Sequence, residues 1–505
     1  MNVNEWGGRP GLTTPLAFHA AARPRETALV LADETLDWAT LHAVVETRAR
    51  EIAALPPGGI ALRLANSAAV IVLVLACARA GREAQVLDPA WPTPIARAVL
   101  AHLAPALLVT ECPEDGEGEA GAPVRRVPRD LRLADLPPLA RTHPGPLPEP
   151  DPASAFYVGF TSGSTGMPKG YRRSQRSWLA SFAAERAEFA VGSADVVAAP
   201  GPLTHSLFLY AVLASLHAGA CVLALPRFRP DHALRLLDEG RATVLYGVPT
   251  HWDLILDRAE REGLCLDTLR LALASGAKWP AALTPRLARV APSALFAEFY
   301  GASELSFVAL ARADEPVPEG SVGRPFAGVE VVIRDRAGRR LPTGRRGLVH
   351  VASDLVFTEY ACGDAADEAC LRHGREVSVG DAGFLDANGF VHLCGRWKRM
   401  IVTSGKNVFP EEIERLVERR DDVAAACVLG RPDARRGERL LGVVSGAGEG
   451  PSRADLVAWC RAHLPLALVP QRWHRLDDWP WTGSGKTDFA AVARAVEGGR
   501  TRELS

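Results

Sequence analysis

The segment Phe160-Thr161-Ser162-Gly163-Ser164-Thr165-Gly166-Met167-Pro168-Lys169-Gly170 concentrates chemistry that an anion would need. Its glycines leave room for backbone N–H groups to approach phosphate oxygens. Its hydroxyls add donors, and Lys169 adds a mobile positive charge. The spacing is not that of the G-x-x-x-x-G-K-[ST] loop: counted from Gly163, the sixth residue is Pro168, and Gly170 follows Lys169. A second glycine–lysine site, Gly485-Lys486-Thr487, has Pro480 where that loop needs its first glycine, and no apolar strand leads into it.

The basic residues sharpen the choice. Only five of the 58 are lysine: Lys169, Lys278, Lys398, Lys406 and Lys486. A chain that drifts toward arginine keeps lysine preferentially where a compact, flexible ammonium is needed and a planar fork will not serve. Two of the five sit in glycine-rich segments. Ser275-Gly276-Ala277-Lys278 matches the S-x-x-K of penicillin-binding enzymes, but no S-D-N or K-T-G accompanies it, so the match is read as coincidence. Cys362, Cys370 and His373 match no zinc spacing.

These residues need a frame to hold them. Residues 26–110 alternate strand-like runs with helical spacing: Ala28–Leu31 as strand, Leu36–Ala53 as helix, Ala68–Ala80 as a buried helix and Gln85–Leu87 as a short parallel strand. Residues 113–124 read as an exposed loop, and the seven prolines between Pro137 and Pro152 as an extended connector. A strand at Ala155–Phe160 then leads into the glycine-rich loop. Alternation returns over 195–300, in strands Val196–Ala199, Cys221–Leu225 and Val244–Gly247 and helices Ser206–His217 and His232–Gly240. Between 320 and 395 short β-type runs (Val329–Ile333, Gly347–Val351, Phe390–Leu393) dominate, and after Arg399 a smaller α+β segment follows. The expected fold is α/β: a large N-terminal domain of α/β sheets with a β-rich subdomain, residues 1–397, and a small mobile α+β C-terminal domain, residues 398–505.

Composition limits the function. At 505 residues and 48% hydrophobic content the chain exceeds one core. A net charge of -1 supplies no field for nucleic acid or an anionic membrane. The longest apolar run, Ala68–Ala78, ends at Arg79, short of the ~18 residues of a membrane span. No secretory signal is visible at the N-terminus, and nine singly placed cysteines suit a reducing cytoplasm.

The phosphate-type segment resembles the signature loop of the adenylate-forming superfamily, which includes acyl-CoA synthetases, aryl-acid ligases, peptide-synthetase adenylation domains and luciferases. Further segments are similar to its motifs in the same order: Tyr300-Gly301-Ala302-Ser303-Glu304; Val379-Gly380-Asp381 with Gly389; Gly395-Arg396; Gly405 to Glu414; and Thr482-Gly483-Ser484-Gly485-Lys486. The look is that of bacterial AMP-forming acyl-CoA synthetases. The resemblance implies ATP-dependent adenylation of a carboxylic acid, then thioester formation with coenzyme A as co-substrate, with domain rotation between the steps.

Roles follow by resemblance. Thr161, Ser162, Gly163, Ser164, Thr165, Gly166 and Lys169 would cradle ATP phosphates. Gly276, Ala277, Tyr300, Gly301 and Ser303 would line the nucleotide, with Tyr300 stacked on adenine and Ser303 standing for the usual Thr. Asp381 and Arg396 would meet the ribose; Val379 stands where the family prefers Thr. Glu304 would hold Mg2+, and Lys486 would bridge carboxylate and α-phosphate. Lys398 marks the hinge, and Gly405 and Lys406 border the thiol side. His205, Phe208, Tyr246 and Gly276 would line the acyl site, with Leu207, Val248, His251 and Trp279 as further candidate walls. No carboxylate follows His205 before Asp231, which disfavours an amino-acid substrate; the resemblance implies a fatty or aryl acid. Lys278 is either a surface residue or a contact for a polar tail. Two alternatives stand: a ligase that loads the phosphopantetheine of an acyl-carrier protein acting in trans, and a catalytically dead nucleotide-binding or scaffold protein. Luciferase-like oxidation is a rarer specialisation.

Overall fold

The computed structural model describes residues 11–115, 122–143, 145–161, 167–363, 371–403, 406–433, 437–446, 448, 450–481 and 487–505. It divides into two compact units. One comprises Met1–Val331, Val351–Glu368 and Arg372–Val379; the other comprises Val332–His350, Ala369–Leu371 and Gly380–Ser505.

Among the described residues, two sheets dominate the first unit. The nine-stranded one has a parallel centre, in spatial order Leu295–Ala302, Leu271–Ala274, Val244–Gly247, Val196–Ala199, Cys221–Ala224 and Thr27–Leu31. Antiparallel strands close both edges: Ser306–Arg312 and Arg324–Pro325 at one, Glu34–Asp37 at the other. Val244–Gly247 and Leu271–Ala274 are buried at every residue, as parallel strands covered on both faces must be. The seven-stranded sheet runs Glu359–Cys362, Lys169–Ser174, Ala155–Thr161, Ala84–Leu87, Ile60–Arg63, Leu107–Thr110 and Val124–Arg126. The helix Ala68–Arg79 is buried from Ala68 to Ala78, which is why it is apolar all round.

In the second unit, Asp381–Leu385 and Val391–Arg396 form a hairpin, and Gly347 and Leu348 pair with Gly383 and Ala382. Asp386 tightens its turn by accepting from the N–H groups of Asn388 and Phe390, and Gly389 supplies the positive φ of +81°. Beyond it, Ala425–Asp433 and Gly437–Ser445 pair along their length. They pack with Pro410–Val417 and Arg453–His463 around Ile413, Val417, Leu456 and Trp473. The architecture is thus mixed α/β, large then small.

Two local expectations need revision. Leu36 belongs to a strand, not a helix: Glu34–Asp37 pairs with Thr27–Leu31, and Asp37 then caps the helix Trp38–Ala53 by accepting from Thr40 N–H at 2.8 Å. The exposed loop expected through 124 stops earlier, because Val124 begins a short parallel edge strand. The expected boundary at 398 falls inside the second unit, which also takes in the 381–396 hairpin. Among the described residues no helix is long and apolar enough to cross a membrane.

Candidate active site

Thr161 pairs with Lys169, so the phosphate-type loop connects two antiparallel strands at the edge of their ladder. Residues Ser162, Gly163, Ser164, Thr165 and Gly166 lie outside the described residues, as do Gly405 and Lys486. Lys169 itself is buried, and Gly363, at φ +131°, packs against its side chain. A Cβ on Gly170 would stand 2.8 Å from the buried Cys362 Sγ, which accounts for the glycine after the lysine.

The strand that leaves this loop is tied to the Glu304 turn. Arg173 donates to the carbonyls of Ser303 (3.1 Å) and Leu355 (2.6 Å) and, through Nε, to Ser177 Oγ (3.0 Å). Burial pushes its guanidinium down to about 10, which leaves it charged at neutral pH. Tyr171 meets Tyr157 hydroxyl to hydroxyl at 3.2 Å, and Ser303 meets Ser206 at 3.0 Å. Burial raises the Tyr171 phenol, which also bonds Ser206 and Ser303. Thus the phosphate-loop hairpin, the Ser303-Glu304 turn and the helix start after His205 share one hydrogen-bonded cluster.

Tyr300 lies near the end of the strand Leu295–Ala302, and Glu304 follows at the turn into Ser306–Arg312. Glu304 is buried. The Tyr360 hydroxyl donates to its Oε1 at 3.0 Å, and Phe357 N–H donates to its main-chain carbonyl at 2.7 Å. Among the described residues no arginine or lysine pairs with this carboxylate, and no cluster of three metal-type ligands occurs. One buried carboxylate, at a turn hydrogen-bonded to the strand that leaves the phosphate-type loop, fits Mg2+, which takes one or two carboxylates and keeps phosphate and water oxygens for the rest. Glu304 would hold the ion, which would neutralise phosphate charge.

The acyl candidates separate into two sets. Exposed His205 stands just before the helix Ser206–Ala218, and Phe208 lies buried one turn on. Phe208 stacks on His251 (5.4 Å), which stacks on Phe228 (3.9 Å, 10°). Burial pushes His251 down to about 4, so this ring is neutral at physiological pH. Gly276, at φ +89°, faces Val248, and with Ala277 it is exposed. Tyr246 is fully buried, with its hydroxyl donating to Glu185. Trp279 is a core residue that donates to Thr284 Oγ1 at 3.1 Å. Lys278 is held by the buried Glu298 at 2.8 Å, whose other oxygen accepts from Trp279 N–H. Its ammonium, exposed on one side, is thus already paired with a carboxylate of the fold.

In the second unit Asp381 and Arg396 face each other across the hairpin and pair at 3.0 Å. Lys398 lies exposed in the turn Trp397–Arg399, and Lys406 lies exposed on the strand Lys406–Val408. Arg399 is bound to Glu411 and Glu414. Tyr360, Arg173, Tyr157 and Tyr171 carry no mark in local spacing: Tyr360 and Arg173 meet partners 56 and 130 positions away, and Tyr157 and Tyr171 meet only through the register of their hairpin.

The AMP-binding enzyme family model matches residues 16–361, and the model of the AMP-binding enzyme C-terminal domain matches 412–486. The chain is 34% identical over 490 residues to YhfT of Bacillus subtilis (strain 168), named an uncharacterized acyl-CoA ligase; the match covers 96% of this chain and 98% of that one. ATP-bound MatB from Rhodopseudomonas palustris superposes with TM-score 0.84 at 25% identity, over 96% of this chain and 99% of that one. The amide bond synthetase McbA from Marinactinospora thermotolerans superposes with TM-score 0.79 at 27% identity, over 96% and 99%.

Proposed function

The chain belongs to the AMP-binding enzyme family, and from that premise we propose that it is an AMP-forming carboxylic acid:CoA ligase acting on a fatty or aryl acid. A carboxylate oxygen attacks the α-phosphorus of ATP, the bond to the β-phosphate bridge breaks, and pyrophosphate leaves. The thiol sulfur of CoA then attacks the acyl carbon, losing its proton, and AMP departs. Both steps bring anions together, so positioning and fixed cations carry the catalysis. Lys486 bridges carboxylate and α-phosphate. Thr161 to Gly166 and Lys169 cradle the phosphates, Glu304 holds the divalent cation, Tyr300 stacks on adenine, and Asp381 with Arg396 meets the ribose.

The observation that carries this reading is the buried Glu304 carboxylate, cation-free among the described side chains and tied through the Ser303 cluster to the hairpin of the phosphate loop. The acid class rests on the stacked Phe208, His251 and Phe228 rings and on the commitment of Lys278 to Glu298. That arrangement offers apolar walls, and the Lys278 ammonium already has a carboxylate partner. A cytoplasmic setting belongs to the same proposal and rests on the cysteines, which are unpaired among the described residues.

The test is carboxylate-dependent ATP–pyrophosphate exchange across fatty, aryl and dicarboxylic acids, followed by product analysis with CoA, with a phosphopantetheinylated carrier protein and with simple amines. Exchange with fatty or aryl acids and acyl-CoA as product is expected. Exchange confined to dicarboxylic acids would refute the acid class, and amide as the main product would refute the acceptor. Lys486→Ala should cut exchange by orders of magnitude while ATP still binds, as equilibrium dialysis would register.

A further inference from the structure

We infer that Tyr360 is a positioning residue for the divalent cation, acting by fixing the Glu304 carboxylate; this rests on the reading of Glu304 as the metal ligand. The geometry is specific. One segment holds Glu304 twice: Phe357 N–H binds its main-chain carbonyl at 2.7 Å and the Tyr360 hydroxyl binds Oε1 at 3.0 Å. Backbone and carboxylate are therefore referenced to the same element. That element is itself anchored, since Tyr360 lies opposite Tyr171 and Cys362 opposite Gly170, on the strand that begins at Lys169. The Tyr360 ring packs edge-on to buried Phe357 at 4.9 Å, and the Arg372 guanidinium lies 4.9 Å from the Phe357 ring. The hydroxyl has little freedom to aim elsewhere.

The chemistry of the donor matters as much as its place. A buried carboxylate needs a partner, and the nearby cation Arg173 is spent on the Ser303 and Leu355 carbonyls and Ser177. Glu304 is given a neutral phenol instead. A phenol occupies one oxygen without setting a positive group beside the carboxylate, which leaves the second oxygen for a cation. Among the described residues Oε2 accepts no hydrogen bond. Hydrogen bonds of this outer kind orient metal ligands, and losing one costs about tenfold or more in metal affinity.

The measurement is Mn2+ binding to the enzyme–ATP complex by electron paramagnetic resonance, alongside metal-free ATP affinity. Tyr360→Phe keeps the ring and its packing and removes the hydroxyl alone. It should weaken Mn2+ about tenfold, leave metal-free ATP affinity unchanged, and raise the Mg2+ concentration that half-saturates exchange by the same factor. In a Glu304→Gln background the same change should add nothing to the Mn2+ loss. If Glu304→Gln weakens Mn2+ while Tyr360→Phe does not, whatever happens to thermal stability, the positioning role is overturned and the Glu304 reading stands. If Glu304→Gln leaves Mn2+ binding intact, the Glu304 reading falls and takes this inference with it.

Discussion

Glu185 puts a carboxyl in the core of the first unit, with the Tyr246 hydroxyl donating to Oε1 and the Tyr210 hydroxyl close by. Burial pushes it up to about 7 from an ordinary 4.5. The folded state therefore keeps a proton that the unfolded chain releases. Below about 4.5 both forms hold it; between 4.5 and 7 stability falls as pH rises; above 7 the loss is complete, about 3 kcal/mol. His217 and His251, pushed down to about 4, work the other way, losing stability as pH falls below 6.5. Glu185→Gln keeps the acceptor for Tyr246 and cannot ionise. Melting temperature measured from pH 4.5 to 7.5 should show the variant gaining on the wild type as pH rises, and parallel curves would refute the shift. Tyr246 also shows a limit of reading residues one at a time: from the chain it looks like a pocket wall, because Glu185 is 61 positions away. Lys278 has the same lesson, since its pairing with Glu298 cannot be read from the chain.

Gly301 governs the element that presents Glu304. The strands Leu295–Ala302 and Ser306–Arg312 pair with a register shift between Tyr300 and Gly301. At this bend a Cβ on Gly301 would stand 2.2 Å from the Ser306 carbonyl oxygen. The obstacle is backbone, so it cannot rotate away, and the hairpin would have to open at a cost of about 1–3 kcal/mol. Gly301→Ala should therefore lower the melting temperature by a few degrees and reduce exchange strongly, because the Ser303-Glu304 turn moves with the strand. Wild-type exchange in a stable Gly301→Ala protein would show that the close approach is not needed. The glycine is legible in the sequence as part of a motif; the reason for it, one carbonyl on the returning strand, is not.

At the scale of the whole chain, the proposed hinge at Lys398 divides the two half-reactions. It stands in the short turn Trp397–Arg399, exposed, just after the pair Asp381–Arg396 and just before Arg399 engages Glu411 and Glu414. Proline there fixes φ and constrains Trp397 as well. Lys398→Pro should spare exchange and slow thioester formation by orders of magnitude in single-turnover assays; equal loss of both would refute the hinge. The sequence by itself determined the alternation of strands and helices, the buried helix at 68–79 and the order of the chemical segments. These are written in local periodicity and in the small, hydroxyl-bearing and charged residues that phosphate contact demands. Only the tertiary structure decided which side chains pair with one another inside the fold. It withdrew Lys278 into a pair with Glu298, sent Tyr246 to Glu185, and brought Tyr360 and Arg173 to the Glu304 turn. The physical reason is that a hydrogen bond or ion pair across a sheet depends on strand order and register. Those are fixed by packing among segments tens to hundreds of residues apart, and no local spacing encodes them.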